Sequence, residues 1–302
     1  MMSSEAGSDD CQKPTNLWYE PQEASPTSWV RTDRVERLHS MIVRRPLIGL
    51  SQEEIHVWLA SDEIDGKQAI SYRELLSLEE RRREQRFHFK ADRDRFLTTR
   101  TLVRTVLSRY ESVDPKEWEF TTNAYGRPEI DISNTGASDL CFNVSHTAGL
   151  IVLGVTRGRA LGVDVENVRA RVSPLDVVKQ VFSTKEIAAL VSLPKEQQPD
   201  HFFQYWTFKE SYIKARGMGV SIPLDGFSIQ LGQDGLVDLE IAPELRDDPA
   251  RWQFWQMWPG TAFVLAICAE RVPGRVSTVS LRKMLSMERD EVAPIQFTRV
   301  SP

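Results

Sequence analysis

The sequence predicts an α+β protein built as two similar lobes. Three observations lead there. Both halves of the chain run through helical periodicity and then mainly antiparallel strand-like segments, in the same order. The pattern restarts near residues 157–161. The composition, 41% hydrophobic and 27% charged over 302 residues, suits one large domain or two smaller ones. The expected organisation is an extension over 1–45, a first lobe over 46–157, a second over 158–285 and a tail over 286–302.

The elements follow in order. Residues 1–45 are rich in Ser, Asp, Glu, Pro and Gln and are expected to be flexible, with a basic patch from Arg31 to Arg45. EIHVWLA (54–60) has strand character. Residues 76–110 read as two helices, and in the second Leu97, Leu102, Val103, Val106 and Leu107 recur at helical spacing. Asn123 to Pro128 is a turn cluster. CFNVSH (141–146) and LIVLGVT (150–156) form a strand pair around a short turn, and LGVDVENV (161–168) is the next strand. Pro174 suits the first turn of a helix. Ser183 and Glu186 have capping-box spacing before TKEIAALVSL. HFFQYWTFKESYIKARG (201–217) is a long helix closed by Gly217. FSIQL, RWQFWQMW and FVLAICAE supply later strands.

Bulk properties narrow the function. A net charge of -5 offers no global basic field for nucleic acid. Cys11, Cys141 and Cys268 lie far apart, without disulfide arithmetic or zinc spacing. No apolar run reaches the ~18 residues of a membrane span, and the first residues lack a secretory pattern. A cytoplasmic protein with no membrane and no nucleic-acid partner is expected.

Four stretches carry chemistry. In GVDVE (162–166) strand alternation sends Val163 and Val165 inward and sets Asp164 and Glu166 together on the other face. Two neighbouring carboxylates repel unless a cation or proton is shared, and hard oxygen ligands suit Mg²⁺; solvated acids on a half-exposed strand are the plain alternative. In WTFKESYIK (206–214) Glu210 and Lys214 share a helix face. Aromatic and aliphatic residues surround them, so Lys209, Glu210 and Lys214 need buried partners. FNVSH (142–146) offers Ser145 and His146 at a strand end as donors to an anionic ligand. A Ser–His nucleophile pair is disfavoured, since adjacent strand residues face opposite ways and no G-x-S-x-G elbow is present. Finally, Glu79 to Arg109 holds ten Lys or Arg against five Asp or Glu, a local excess suited to phosphates or an acidic partner.

These pieces, in this order, resemble the 4'-phosphopantetheinyl transferases of the Sfp type. The matching residues are Gly126-Arg127-Pro128, Phe142 to His146, Gly162 to Glu166, and Trp206 to Glu210 with Lys214. The resemblance spans about residues 54 to 285. It implies two pseudo-twofold lobes with the active site in the cleft between them. It also implies transfer of the phosphopantetheine arm of coenzyme A to a serine of an acyl or peptidyl carrier protein, releasing 3',5'-ADP. Asp164, Glu166 and Glu210 would hold Mg²⁺, with Mn²⁺ as a substitute. Lys214 would stabilise the leaving group, and Glu210 would act as base, with Glu186 second. Ser145, His146 and Arg127 would grip the 3'-phosphoadenosine part, with Arg83 and Arg86 near the same phosphates. The chain departs from the family pattern at Glu80, where a lysine is expected, and at Phe96, where a small hydroxyl residue is. Both bear on coenzyme A contacts. One chain carrying both lobes implies a monomer. The rival readings are a non-catalytic coenzyme A- or carrier-binding module and a metal-dependent phosphohydrolase. The second wants more clustered ligands than five histidines readily supply.

Overall fold

The structure is a computed structural model that describes residues 46–135, 139–169 and 178–302. The expectations for the extension, for Arg31 to Arg45 and for the helix at Pro174 fall outside them. The described strands are β1 (Glu54–Ala60), β2 (Phe120–Thr122), β3 (Pro128–Ile130), β4 (Leu140–Thr147), β5 (Leu150–Arg157) and β6 (Leu161–Asn167), then β7 (Phe227–Leu231), β8 (Val237–Ile241), β9 (Trp252–Met257), β10 (Phe263–Glu270), β11 (Thr278–Ser286), β12 (Arg289–Ala293) and β13 (Phe297–Val300). The helices are α1 (Gly66–Arg73), α2 (Leu78–Glu84), α3 (Lys90–Leu107), α4 (Ile132–Thr135), α5 (Val178–Val181), α6 (Thr184–Val191) and α7 (Gln198–Arg216).

Two larger sheets organise the chain, a five-stranded one in the order β12-β11-β1-β5-β4 and a four-stranded one in the order β13-β9-β10-β6. The mixed α+β class is as expected. One difference concerns strand direction: β11 lies parallel to β1, with Glu54 opposite Thr278, so the first sheet is mixed rather than antiparallel. That strand starts in the range assigned to the second lobe, yet it hydrogen-bonds to β1, from the range assigned to the first. Its sequence, TVSLRKMLS, has no feature that selects one partner strand over another, because pairing of distant segments is decided by the assembled sheet.

Strand alternation sorts the side chains into layers. Ile55, Val57 and Leu59 of β1 meet Leu161, Val163 and Val165 of β6 in a core shared by both sheets. Trp58 and Ala60 face the other way, onto Leu102, Val103, Val106 and Leu107 of α3. On the far side of the second sheet, Val264, Ala266 and Cys268 of β10 receive α7 through Phe208, Tyr212 and Ala215. Burying a Phe side chain contributes roughly 1.5–3 kcal/mol, so Phe202, Phe203 and Phe208 hold α7 on the sheet. The helix ends where Gly217 adopts φ 66°, a left-handed conformation that glycine reaches without a Cβ clash. The capping box at Ser183 and Glu186 forms as expected. No helix among the described residues is long and apolar enough to cross a membrane.

Candidate functional site

β6 and α7 build the site. Val163 and Val165 are buried in the shared core, and Asp164 and Glu166 alternate with them, both also buried. α7 lies so close to β6 that a Cβ on Gly162 would fall 2.0 Å from the Ser211 carbonyl oxygen and 2.4 Å from the Ala215 nitrogen. The glycine is therefore a contact requirement: only hydrogen fits between strand and helix. That proximity brings the last turns of α7 over the two acids.

Asp164 is the centre of the arrangement. Its Oδ1 accepts hydrogen bonds from Lys214 Nζ at 2.6 Å and from Ser145 Oγ at 2.9 Å. Lys214 Nζ also donates to Ser145 Oγ at 2.9 Å. Asp164 Oδ2 is buried and has no hydrogen-bond partner, a costly state for a carboxylate oxygen. Glu210, half-buried, has its pKa pushed up to about 7. Loss of water is the first cause and the Asp164 charge the second; Lys214 opposes them, and Glu166 adds to the rise. Glu210 thus feels both strand acids across the strand–helix contact.

β4 fixes the other side of β6. Asn143 Oδ1, Ser145 Oγ and Thr147 Oγ1 accept from the main-chain nitrogens of Val163, Val165 and Asn167 at 2.8, 3.4 and 3.2 Å. Alternate side chains of one strand thereby satisfy alternate N–H groups of an edge strand, which would otherwise be buried orphans. Sequence reasoning gave Asn143 and Thr147 no role. The spacing N-x-S-x-T is visible in the chain, but its meaning depends on β6 lying alongside.

The remaining predicted residues are distributed more widely. Strand alternation puts Ser145 toward β6 and turns His146 the other way. Burial first, and then the charges of Arg95 and Lys214, push its pKa down to about 4, so the imidazole is neutral at physiological pH. Arg95, which sequence reasoning passed over, is held by Asp62 at 2.9 Å. Arg83 stands over the Phe96 ring, 5.8 Å from its centroid, and Phe96 packs on Phe87. Burial, then Arg100 and Arg86, lower the Arg83 pKa, so three guanidiniums gather there. Arg127 donates to main-chain carbonyls at the end of α7 and the start of β6.

Two acids outside the site have structural work. Glu80 completes the capping box of α2 with Ser77 and ion-pairs with Arg100 and with Arg104, the latter at 2.8 Å. Glu186 is 1% exposed and accepts from Lys209 Nζ, Ser183 N and Ile229 N, each at 2.8 Å. Lys209 thus finds its buried partner in Glu186.

Among the described residues, no three His, Cys, Asp or Glu side chains are gathered as a ready-made metal cluster. The donor set still fits a hard divalent cation in kind. Asp164 presents an oxygen without a partner, Glu166 follows on the same strand face, and Glu210 is destabilised as an anion by both.

Two family models match the chain. One, for the 4'-phosphopantetheinyl transferase N-terminal region, covers residues 65–157; the other, for the 4'-phosphopantetheinyl transferase superfamily, covers 160–268. The chain belongs to the 4'-phosphopantetheinyl transferase superfamily and is of the Sfp type. It is 34% identical to the 4'-phosphopantetheinyl transferase Sfp of Bacillus subtilis (strain 168) over 212 residues, 70% of this chain and 90% of that protein. It is 31% identical to the 4'-phosphopantetheinyl transferase HetI of Nostoc sp. over 229 residues, 76% of this chain and 93% of that protein.

Proposed function

We propose that this transferase moves the 4'-phosphopantetheine arm of coenzyme A onto a serine of an acyl or peptidyl carrier protein and releases 3',5'-ADP. The observation that carries the reading is Asp164, with one oxygen held by Lys214 and Ser145 and the other buried without a donor. A bound Mg²⁺ or Mn²⁺, held by Asp164, Glu166 and Glu210, would supply neutralisation of the pyrophosphate charge. Every other part is assigned to the chain itself. The serine oxygen forms the new bond to phosphorus while the pyrophosphate P–O bond breaks. The serine proton goes to Glu210, and the charge left on 3',5'-ADP falls to Lys214. Ser145 orients Lys214 through their 2.9 Å hydrogen bond. Arg83 and Arg86 supply positive charge on the nucleotide side, and His146, being neutral, a hydrogen bond.

Ser145, His146 and Arg83 come from 46–157, and the three acids and Lys214 from 158–285. This supports reading the two ranges as lobes that share a cleft. The test is the mass of an apo carrier domain incubated with coenzyme A and Mg²⁺. A gain of one phosphopantetheine arm is expected with the wild type and not with Asp164→Ala or Glu210→Ala. Coenzyme A binding without any gain, on peptidyl, polyketide and fatty-acid carriers alike, would favour the binding-module reading instead.

A further inference from the structure

The guanidinium of Arg127 is engaged by main-chain carbonyls of two other elements. Arg127 sits on the turn between β2 and β3, and Asn123 builds that turn. Asn123 Oδ1 accepts from the nitrogens of Tyr125 and Arg127 at 2.9 and 3.0 Å, and Gly126 takes φ 84°. From this rigid base the guanidinium forks. Nη1 donates to the carbonyls of Lys214 and Ala215 at 3.2 and 3.1 Å, and Nη2 to the carbonyl of Leu161 at 3.2 Å. Nε is buried. Asn123 Nδ2 reaches the Gly217 carbonyl at 2.8 Å. A Cβ on Gly217 would meet Asn123 Nδ2 at 3.1 Å and Arg127 Cδ at 3.2 Å, so the turn rests directly on the helix end.

The last carbonyls of a helix lack intrahelical partners, and the helix dipole favours a cation there. Arg127 meets both needs and ties the same point to the first residue of β6. The carbonyl it holds belongs to Lys214, whose Nζ sits on Asp164. We propose that Arg127 and Asn123 form a positioning clamp that sets Lys214 against Asp164, and that Arg127 is not a ligand of the nucleotide. The inference rests on the transferase reading of Lys214 given above.

The test compares Arg127→Met and Asn123→Ala with the wild type. Asn123→Ala keeps the arginine and its charge, so it carries the test even if Arg127→Met folds poorly. Three quantities are read: kcat and KM for coenzyme A, the Kd for 3',5'-ADP by calorimetry, and amide exchange over residues 213–217. The clamp predicts kcat down at least about tenfold, KM and Kd within about twofold, and exchange at the helix end faster by about tenfold or more in both variants. A Kd weakened tenfold or more in Arg127→Met overturns the proposal whatever kcat does, as does unchanged exchange at 213–217. Wild-type protein that transfers nothing would sink the functional reading instead, and the exchange measurement would still judge the clamp.

Discussion

Adding one methyl group at Gly162 should cost this enzyme more activity than stability. The added Cβ would lie 2.0 Å from the Ser211 oxygen and 2.4 Å from the Ala215 nitrogen. Ordinary contact begins near 3.4 Å, so α7 must withdraw by about 1.4 Å at that point. Both obstructing atoms are main chain, so no rotamer change relieves the clash. The helix cannot retreat freely either. Phe208 packs on Phe254, and Tyr212 packs on Trp252 and donates to Asp247 at 2.8 Å. Overpacking of this kind costs typically 1–3 kcal/mol, and the upper end is expected here. The urea midpoint should then fall by about 1 M. Lys214 moves with Ser211 and Ala215, away from its 2.6 Å bond to Asp164. A displacement of about 1 Å at a reacting centre can lower kcat by about 100-fold.

Carrier loading followed by mass spectrometry, at a temperature where the variant is fully folded, separates the two effects. Gly154→Ala is the control. Its Cβ would meet Val163 Cγ1 at 2.8 Å and Leu161 Cδ2 at 3.0 Å, side-chain atoms in the core rather than main chain of α7. It should lose about 1 kcal/mol and keep its rate. A Gly162→Ala enzyme within twofold of the wild-type rate, or two variants that behave alike, would refute the claim that strand–helix contact sets the site.

Further expectations concern the buried charges. Lys209→Met strands the Glu186 carboxylate in a pair whose side chains are 0% exposed on both sides, and should destabilise by about 3–5 kcal/mol. The double variant Lys209→Met/Glu186→Met should recover only part of that loss in urea melts, since Ser183 N and Ile229 N also lose their acceptor; a single-variant cost below about 1 kcal/mol would contradict a dry pair. At Glu80, burial alone would raise the pKa, but Arg100 and Arg104 outweigh it and hold the carboxyl below its ordinary value. A depressed folded-state pKa stabilises at neutral pH. The contribution begins to fade as pH drops below about 4.3 and is lost as pH falls through the folded value. The stability gap between wild type and Glu80→Gln should therefore narrow in acid. Denaturation at pH 7 and at about pH 3.5 checks this, and an equal gap at both would count against the pairing.

Local signals were legible where local physics decides. The strand at 161–168, the capping box at Ser183 and the αL stop at Gly217 all follow from periodicity or from one residue's conformational freedom. So did the alternation that puts Asp164 and Glu166 on one face. The later strands β11, β12 and β13 went unseen, because strands that bury few of their side chains carry a weak alternation and take their order from partners far away in the chain. Glu80 looked like a lost phosphate contact and is a shared carboxylate between two arginines.

The motifs therefore carried the family, the chemistry and the residue types, since those depend on which groups are present and at what spacing along one strand or helix. Which partner each group takes was decided only by folding. Glu210 and Asp164 are 46 positions apart, yet the Asp164 charge is the second cause of the Glu210 pKa rise. Arg127 and Lys214, 87 positions apart, are joined through a carbonyl. Glu186 and Lys209 neutralise each other in the core rather than at the site. These are through-space pairings between separate elements, and the bare hydrogen of Gly162, which lets α7 settle onto β6, is what allows the central one to form.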